Sequence, residues 1–529
     1  MQDMILEWLV GGFFGYLVFF LPILLYSESS PVFFYIKEII PISPELFLGF
    51  SIIFLLLHGT LTSSSAKKRF PLIQESVSSL AVLALFFTFF LESNLSITVL
   101  CSFFNNTFFH DYLTVFTKLF LLIISIVSIL VVQLYLKDQK INYFEYTILV
   151  LFSIFGLLLL CSSNDFITAY LAIEIQSLSF YLLASYKKNS IFATESGLKY
   201  FILGSFSSGL FLFGSSLIYG ITGTTNFEDF NDLFFYLDSC NILSNHPESF
   251  LLKLSFYFIF ISLFFKLALA PFHLWSPDVY ESSLTSSTVF FTVLPKLSLF
   301  VFLIRIFRIT YPCLLETTNN FIMVVALLSV IVGSFVGLEI RKVKSLLAYS
   351  SIGHMGYIML ACSVFTQEGY STTFLYITVY MITSISVWSV FLLLKIRRLG
   401  LKKTNKDLSD FSGLNKSNPT LSIVFSVIIL SLAGFPPFLG FFVKLQVFFS
   451  LIQQTEYIAS IVSIFCSVFS TFYYIRLLKI IFFEKSVSGH LYHTFGYFMT
   501  FVVTFSFILL IYFFINPNIL FLLCQKIIL

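Results

Sequence analysis

The sequence predicts an all-α polytopic membrane protein, on three observations. Of its 529 residues, 58% are hydrophobic and only 11% charged, too little charge to cover a soluble domain of this length. The apolar runs are about 20 residues long, the span of a helix, and not ten-residue alternating segments of a barrel. Helices also satisfy every backbone polar group within one segment, as lipid requires. Third, the basic residues gather in alternate loops, as they do when a chain crosses a bilayer repeatedly.

The elements follow in order. The N-terminal stretch MQDMILEWLVGGFFGYLVFFLPILLY carries Asp3 and Glu7 where a signal peptide has a basic region, and it reads as a retained helix near residues 5–25. Residues 1–40 are therefore an N-terminal extension and 41–529 the main membrane domain. Fourteen spans are expected there, centred near Ile53, Leu85, Ile123, Ile154, Gln176, Gly209, Ile261, Lys296, Leu328, Met355, Met381, Pro436, Phe469 and Leu509. The seventh runs into Pro271 within KLALAPFHLW, and the twelfth is interrupted by GFPP around Pro436. Proline removes a backbone donor and breaks a helix, which membranes tolerate where the backbone faces protein or water. Broken helices at matching positions of two halves point to internal repeats with an ion or substrate site at mid-membrane. Helices four to eight and nine to thirteen are the expected repeats.

Loop charge tests the count. Lys67, Lys68 and Arg69, then Lys137 and Lys140, Lys187 and Lys188, Arg341, Lys342 and Lys344, the cluster from Lys395 to Lys416, and Arg476, Lys479 and Lys485 all fall on one side. The opposite side holds only Lys37, Lys253, Arg305, Arg308 and Lys526. The positive-inside rule puts the basic loops in the cytoplasm or matrix. One loop on that side, PFHLWSPDVYESSL, has no Lys or Arg but contains Asp278 and Glu281, so its acidity suggests a role other than topology.

Several function classes have no residues to carry them. The net charge of +3 gives no basis for a nucleic-acid partner. Seven scattered cysteines include no CxxC spacing, which argues against iron–sulfur and zinc sites; they read as buried small hydrophobes. His58, His110, His246, His490 and His493 show no pairing suited to haem or metal, and Gly220 and Gly223 make no nucleotide loop. Any driving reaction belongs to another chain. Phe is unusually abundant, 72 residues, as an AT-rich organellar genome would produce.

What remains is charge inside the spans. Glu174, Lys266, Lys296 and Lys444 lie deep in apolar segments, where a charge costs roughly 2.5–3.5 kcal/mol on insertion scales. Glu174 is about nine residues from Asp165, hence about 14 Å along its helix and too deep to snorkel easily. Lys266 immediately precedes one break, and Lys444 follows the other. Burial disfavours a lysine's charge and a partner carboxylate restores it, so an amine under both influences exchanges its proton when the partner moves. A shift of two or three units is worth about 3–4 kcal/mol. Moving one charge through 100 mV takes about 2.3 kcal/mol, so a switching Glu–Lys pair matches the scale of a pumping step. The competing reading is a carboxylic acid kept neutral by burial for Glu174 and a structural ion pair for each lysine. Lys199 lies nearer a helix end and either joins the path or snorkels. His354 either relays protons between lysines or bonds to a neighbouring hydroxyl, and His273 beside Asp278 is a candidate for proton uptake.

The blocks FITAYLAIEIQSLSFYLLAS, ESGLKYFILGSFSSGLFLFGSSLIYG, FKLALAPFHLWSPDVYE, KVKSLLAYSSIGHMGYI and LAGFPPFLGFFVKLQVF, in this order from roughly Pro44 to Leu522, resemble subunit 2 of the proton-pumping NADH–ubiquinone oxidoreductases. IEIQSLSFYLLAS and SSIGHMGY look like its mitochondrial branch. The resemblance implies an antiporter-like fourteen-helix fold with two inverted five-helix repeats (broken helices 7 and 12), residues 1–40 lying outside it as an extra N-terminal helix. It implies that Glu174, Lys266, Lys296 and Lys444 carry protons, with Lys199 matching a further family lysine on helix six. It implies the mitochondrial inner membrane, basic loops in the matrix, with lipids, a neighbouring antiporter-like subunit and small membrane subunits as partners. NADH, FMN, iron–sulfur clusters and ubiquinone would be bound by other subunits, with no cofactor in this chain. The alternative is a subunit of a cation/proton antiporter, which would share fold and lysines. A departure follows DVYE, where Ser282, Ser283, Leu284 and Ser286 replace the family's Gly and Pro-containing turn and leave open the shape of the loop before helix eight.

Overall fold

The computed structural model describes residues 38–63, 73–95, 101–139, 141, 143–230, 232–233, 247–309, 315–393, 395–398, 401–404, 407–484, 491–492 and 497–528. The helix expected near residues 5–25 lies outside the described residues. The chain builds α1 (Ser43–Ser63), α2 (Ile73–Asn94), α3 (Tyr112–Asp138), α4 (Glu145–Ser162), α5 (Phe166–Ala184), α6 (Ile191–Thr222) and α7 (Pro247–Leu267). Then come a short α8 (Trp275–Ser282), α9 (Thr285–Ile309), α10 (Leu315–Glu339), α11 (Val343–Cys362) and α12 (Gln367–Leu393). The one-turn α13 (Leu414–Ser417), α14 (Pro419–Ala433), α15 (Leu439–Gln453), α16 (Tyr457–Phe482), α17 (Tyr497–Ile515) and α18 (Pro517–Ile528) complete it.

Among the described residues, 11 helices are long and apolar enough to cross a membrane. Counting the bent α17–α18 pair as one span makes 12, fewer than the fourteen expected; α11 and the shorter apolar helices α14 and α15 stand at the remaining expected centres. The chain turns by 89° between α17 and α18. α9 and α12 are almost wholly buried and form the middle of the bundle, whereas α6 turns much of its surface outward.

Both interruptions occur where the sequence places them. α7 stops at Leu267, Ala268 takes a φ of 58°, and α8 follows. The Trp275 indole N–H donates to the Phe265 carbonyl at 2.9 Å, beside the Ala268 N–H that bonds the same oxygen at 3.0 Å, and so ties α8 back to the end of α7. α14 ends at Ala433, and Gly434 closes it with a φ of 82°, a conformation that favours glycine. The loop before α9, open from sequence, is two residues long, Ser283 and Leu284, and the extended Ser283 caps α8. Lys344 donates to the Ser283 carbonyl at 2.8 Å and pins it to the start of α11.

Contacts tie the loops together at each end of the bundle. At one end Lys342 pairs with Glu281, Leu408 N–H donates to Arg341 O, and Arg476 donates to the Leu338 carbonyl at 2.7 Å. A three-stranded sheet of β3 (Lys395–Arg398), β4 (Leu401–Thr404) and β5 (Leu491–Tyr492) joins chain segments from that same basic side. At the other end, beside a hairpin of β1 (Cys101–Phe103) and β2 (Phe108–His110), Arg305 donates to the carbonyls of Ser162 and Ser163. It also pairs with Asp111, which caps α3 through a reciprocal bond with Thr114.

α10 and α11 touch backbone to backbone. A Cβ on Gly333 would lie 2.6 Å from the Gly353 nitrogen, and one on Gly356 would lie 2.9 Å from the Val330 nitrogen. Small residues permit this approach, which supplies packing where lipid gives no hydrophobic drive.

Candidate functional site

Ionisable side chains from five helices converge on a row of phenol hydroxyls through the bundle. At one edge stands Glu174 of α5, half-buried, with Ser177 Oγ 3.5 Å from one carboxylate oxygen and no hydrogen bond to the other. It acts electrostatically on Lys266, at the end of α7, without closing an ion pair within 4.0 Å among the described residues. The Lys266 ammonium donates to Tyr181 Oη at 3.3 Å. A Cβ on Gly204 would collide with that phenol, so glycine there makes its room.

From Tyr181 the row continues through aromatic neighbours. Tyr181 meets Tyr200 edge to face at 4.8 Å, and Tyr200 stacks on Trp275 at 4.6 Å. Tyr280 of α8 interacts electrostatically with Tyr200 on one side and Tyr380 on the other. The Lys296 ammonium, 3% exposed, donates to Tyr380 Oη at 2.9 Å and sits 4.8 Å from the ring centroid, a hydrogen bond and a cation–π contact from one residue.

His354 occupies the interval between Lys296 and Lys444 and feels the charge of both. Its Nδ1 lies 2.9 Å from Tyr376 Oη and its Nε2 3.2 Å from Tyr474 Oη. The imidazole thus lies between the lysines and is bonded to a hydroxyl through each ring nitrogen. Lys444, 5% exposed, donates to the Ala433 carbonyl at 2.8 Å and faces the Tyr357 ring. That carbonyl is the last of α14, so the break itself supplies the amine's acceptor. Two small cavities flank Lys444; one is lined by Ser334, Ser350, His354 and Tyr474, the other by Tyr376, Tyr380, Thr383 and Ser431. Such polar-lined spaces suit water, which needs two to four polar partners.

The two remaining candidates stand apart. Lys199 is exposed, bonded to Glu195 at 2.9 Å one turn away and to Asp278 at 3.3 Å. It straps α6 to the acidic loop at the basic end. His273 is buried, close to Tyr349 and with Nδ1 unpartnered. The phenols Tyr181, Tyr200, Tyr280, Tyr376, Tyr380 and Tyr474 are the part of the row that sequence reasoning missed. Among the described residues no group of three His, Cys, Asp or Glu side chains could hold a metal.

Amines, imidazole, carboxyl and phenols are groups that donate and accept protons in turn, so the arrangement has the chemistry of proton transfer.

Comparison with known proteins agrees with that chemistry. Residues 163–470 match the family model described as NADH:quinone oxidoreductase/Mrp antiporter, TM. The chain is similar to NADH-ubiquinone oxidoreductase chain 2 of Marchantia polymorpha, 35% identical over 489 residues, covering 92% of this chain and 98% of the relative. It is similar to NADH-quinone oxidoreductase subunit N of Pelagibacter ubique, 36% identical over 478 residues and 90% and 96% of the two chains. A chain in the structure of respiratory complex I from Thermus thermophilus superposes with a TM-score of 0.73 at 25% identity, covering 90% of this chain and 98% of that one.

Proposed function

Because this chain belongs to the family of NADH-ubiquinone oxidoreductase chain 2 and NADH-quinone oxidoreductase subunit N, we propose that it is a proton-translocating membrane-arm subunit of complex I. Its reaction is that of the whole complex, NADH oxidation by ubiquinone, performed on other subunits that bind NADH, FMN, iron–sulfur clusters and ubiquinone. This chain carries the proton work. The observation supporting this most strongly is the gathering of two clusters, Glu174, Lys266 and Tyr181, then Lys296, Tyr380, His354 and Lys444, with both broken helices contributing an amine.

The mechanism follows from the contacts. When Glu174 is ionised and close, Lys266 holds its proton; when that charge is neutralised or withdrawn, the proton moves on to the phenols. Lys296, His354 and Lys444 cannot all be charged at close quarters in a sealed interior, so charging one favours discharge of the next. Repulsion passes the state along the row. We read helices four to eight and nine to thirteen of the fourteen as the two inverted repeats, residues 41–529 as the translocating domain and residues 1–40 as an appended helix. Relatives named as ubiquinone oxidoreductase chains and the Phe-rich composition favour the mitochondrial inner membrane, with the basic loops in the matrix and lipid around the exposed helices. The half-exposed flank carrying Glu174 and Lys266 suits a small membrane subunit as neighbour, and another antiporter-like subunit is the expected second contact.

The test uses the assembled complex reconstituted into vesicles. Lys266→Met is expected to lower protons pumped per NADH oxidised. An unchanged ratio would overturn the reading. Copurification with antiporter-type chains alone, without dehydrogenase subunits, would instead favour the cation/proton antiporter.

A further inference from the structure

At the end of the bundle away from the basic loops, three helices outside the row just described bring charged side chains into a closed pocket. Lys118 of α3 lies 2.5 Å from a carboxylate oxygen of Glu45 on α1 and 4.0 Å from one of Glu92 on α2, each side chain only 1–2% exposed. Neither Glu92 oxygen makes a hydrogen bond among the described residues. Two carboxylates face one ammonium, so full ionisation would bury an uncompensated negative charge, which costs several kcal/mol. A shared proton removes that excess, as it does wherever two carboxylates occupy one dry site.

His110, at the end of β2 and 3% exposed, has an unpartnered Nδ1. Burial and the nearby Lys118 ammonium push its imidazole down to about 4, so at neutral pH it is uncharged. On α4 the Cys161 thiol faces Lys118 and Thr117, and Arg305 of α9, paired with Asp111, closes the far side. α3 also packs against α9 and α12, the helices of Lys296 and Tyr380.

We propose that Glu45, Glu92 and Lys118 form a proton-binding site that discharges toward the face opposite the basic loops. This assignment rests on the reading of the central row as a proton path. In it, Glu45 stays paired with Lys118 while Glu92 takes up and gives back the proton. The bond broken is O–H on Glu92 and the bond formed is O–H on a water molecule at that face, and no electron changes hands.

The experiment measures NADH-driven proton release from vesicles containing the complete complex with an external pH indicator, beside electron transfer in the uncoupled state. Glu92→Gln keeps shape but cannot cycle a proton, and is expected to slow release at least about tenfold while uncoupled electron transfer persists, with Glu92→Asp restoring it. Unchanged release in Glu92→Gln, with Lys266→Met impaired, would overturn the proposal and leave the central row standing. Unchanged release in both would sink the underlying reading as well. Where Glu92→Gln yields no complex, Glu45→Gln is measured in the same way, and normal release there also overturns the proposal.

Discussion

Replacing Tyr380 by Phe isolates one hydrogen bond in the sealed part of the row. Lys296 Nζ is held at 2.9 Å by the Tyr380 hydroxyl and at 4.8 Å by its ring. Phe keeps the ring and the packing, so only the bond to a charged donor is lost, worth about 1.5–3 kcal/mol. At about 1.4 kcal/mol per factor of ten, the ammonium form of Lys296 becomes roughly 10- to 100-fold scarcer relative to the wild type. Proton flux limited by that form should fall by the same factor. The assay is NADH-driven acidification in vesicles, normalised to NADH consumed, with assembly confirmed on native gels. Tyr512→Phe serves as the control, since Tyr512 is 48% exposed on α17. Normal pumping in Tyr380→Phe would refute the idea that this hydroxyl holds the proton-carrying state of Lys296.

Three further outcomes are expected. Glu174→Gln preserves side-chain shape and should assemble, yet pump slowly or not at all; normal pumping would remove Glu174 from the path. Gly333→Ala sets a methyl against the Gly353 backbone, which cannot yield as a side chain would, so the complex should lose about 1–3 kcal/mol of stability, read as a lower melting temperature of this subunit. His110 carries a folded value of about 4 against 6.5, so the unfolded chain binds the extra proton between those values. Its contribution is present above about pH 6.5 and lost as pH falls toward 4, amounting to about 2 kcal/mol by pH 5. His110→Asn should therefore flatten the decline of thermal stability between pH 7 and 5, and an unaltered slope would contradict the assignment.

The spans and both breaks were legible because they rest on crude signals: hydropathy over 20 residues, and proline inside an apolar run. The four buried charges were legible because an ion in such a run is rare. The phenols were not, since 27 tyrosines scatter through helices and a hydroxyl's partner leaves no mark in sequence. Glu45 and Glu92 escaped notice for another reason. Each lies in the terminal turn of its helix, where a carboxylate ordinarily reaches water, and only the packing of α1 to α3 seals them around Lys118. Lys199 illustrates the converse: its depth in sequence was ambiguous, and the bend of the acidic loop toward α6 gives it Asp278 as a partner at the surface.

The glycine contact between α10 and α11 bears on how the row can switch. Gly353 precedes His354, so the imidazole is mounted on a helix that rests directly on the backbone of its neighbour. No side chain lies between them there to act as a bearing, and sliding would drive one main chain into the other. His354 is thus a fixed post. Any turnstile motion between Lys296 and Lys444 has to come from the opposite wall, where α12, α15 and α16 bring the hydroxyls and the amine to it.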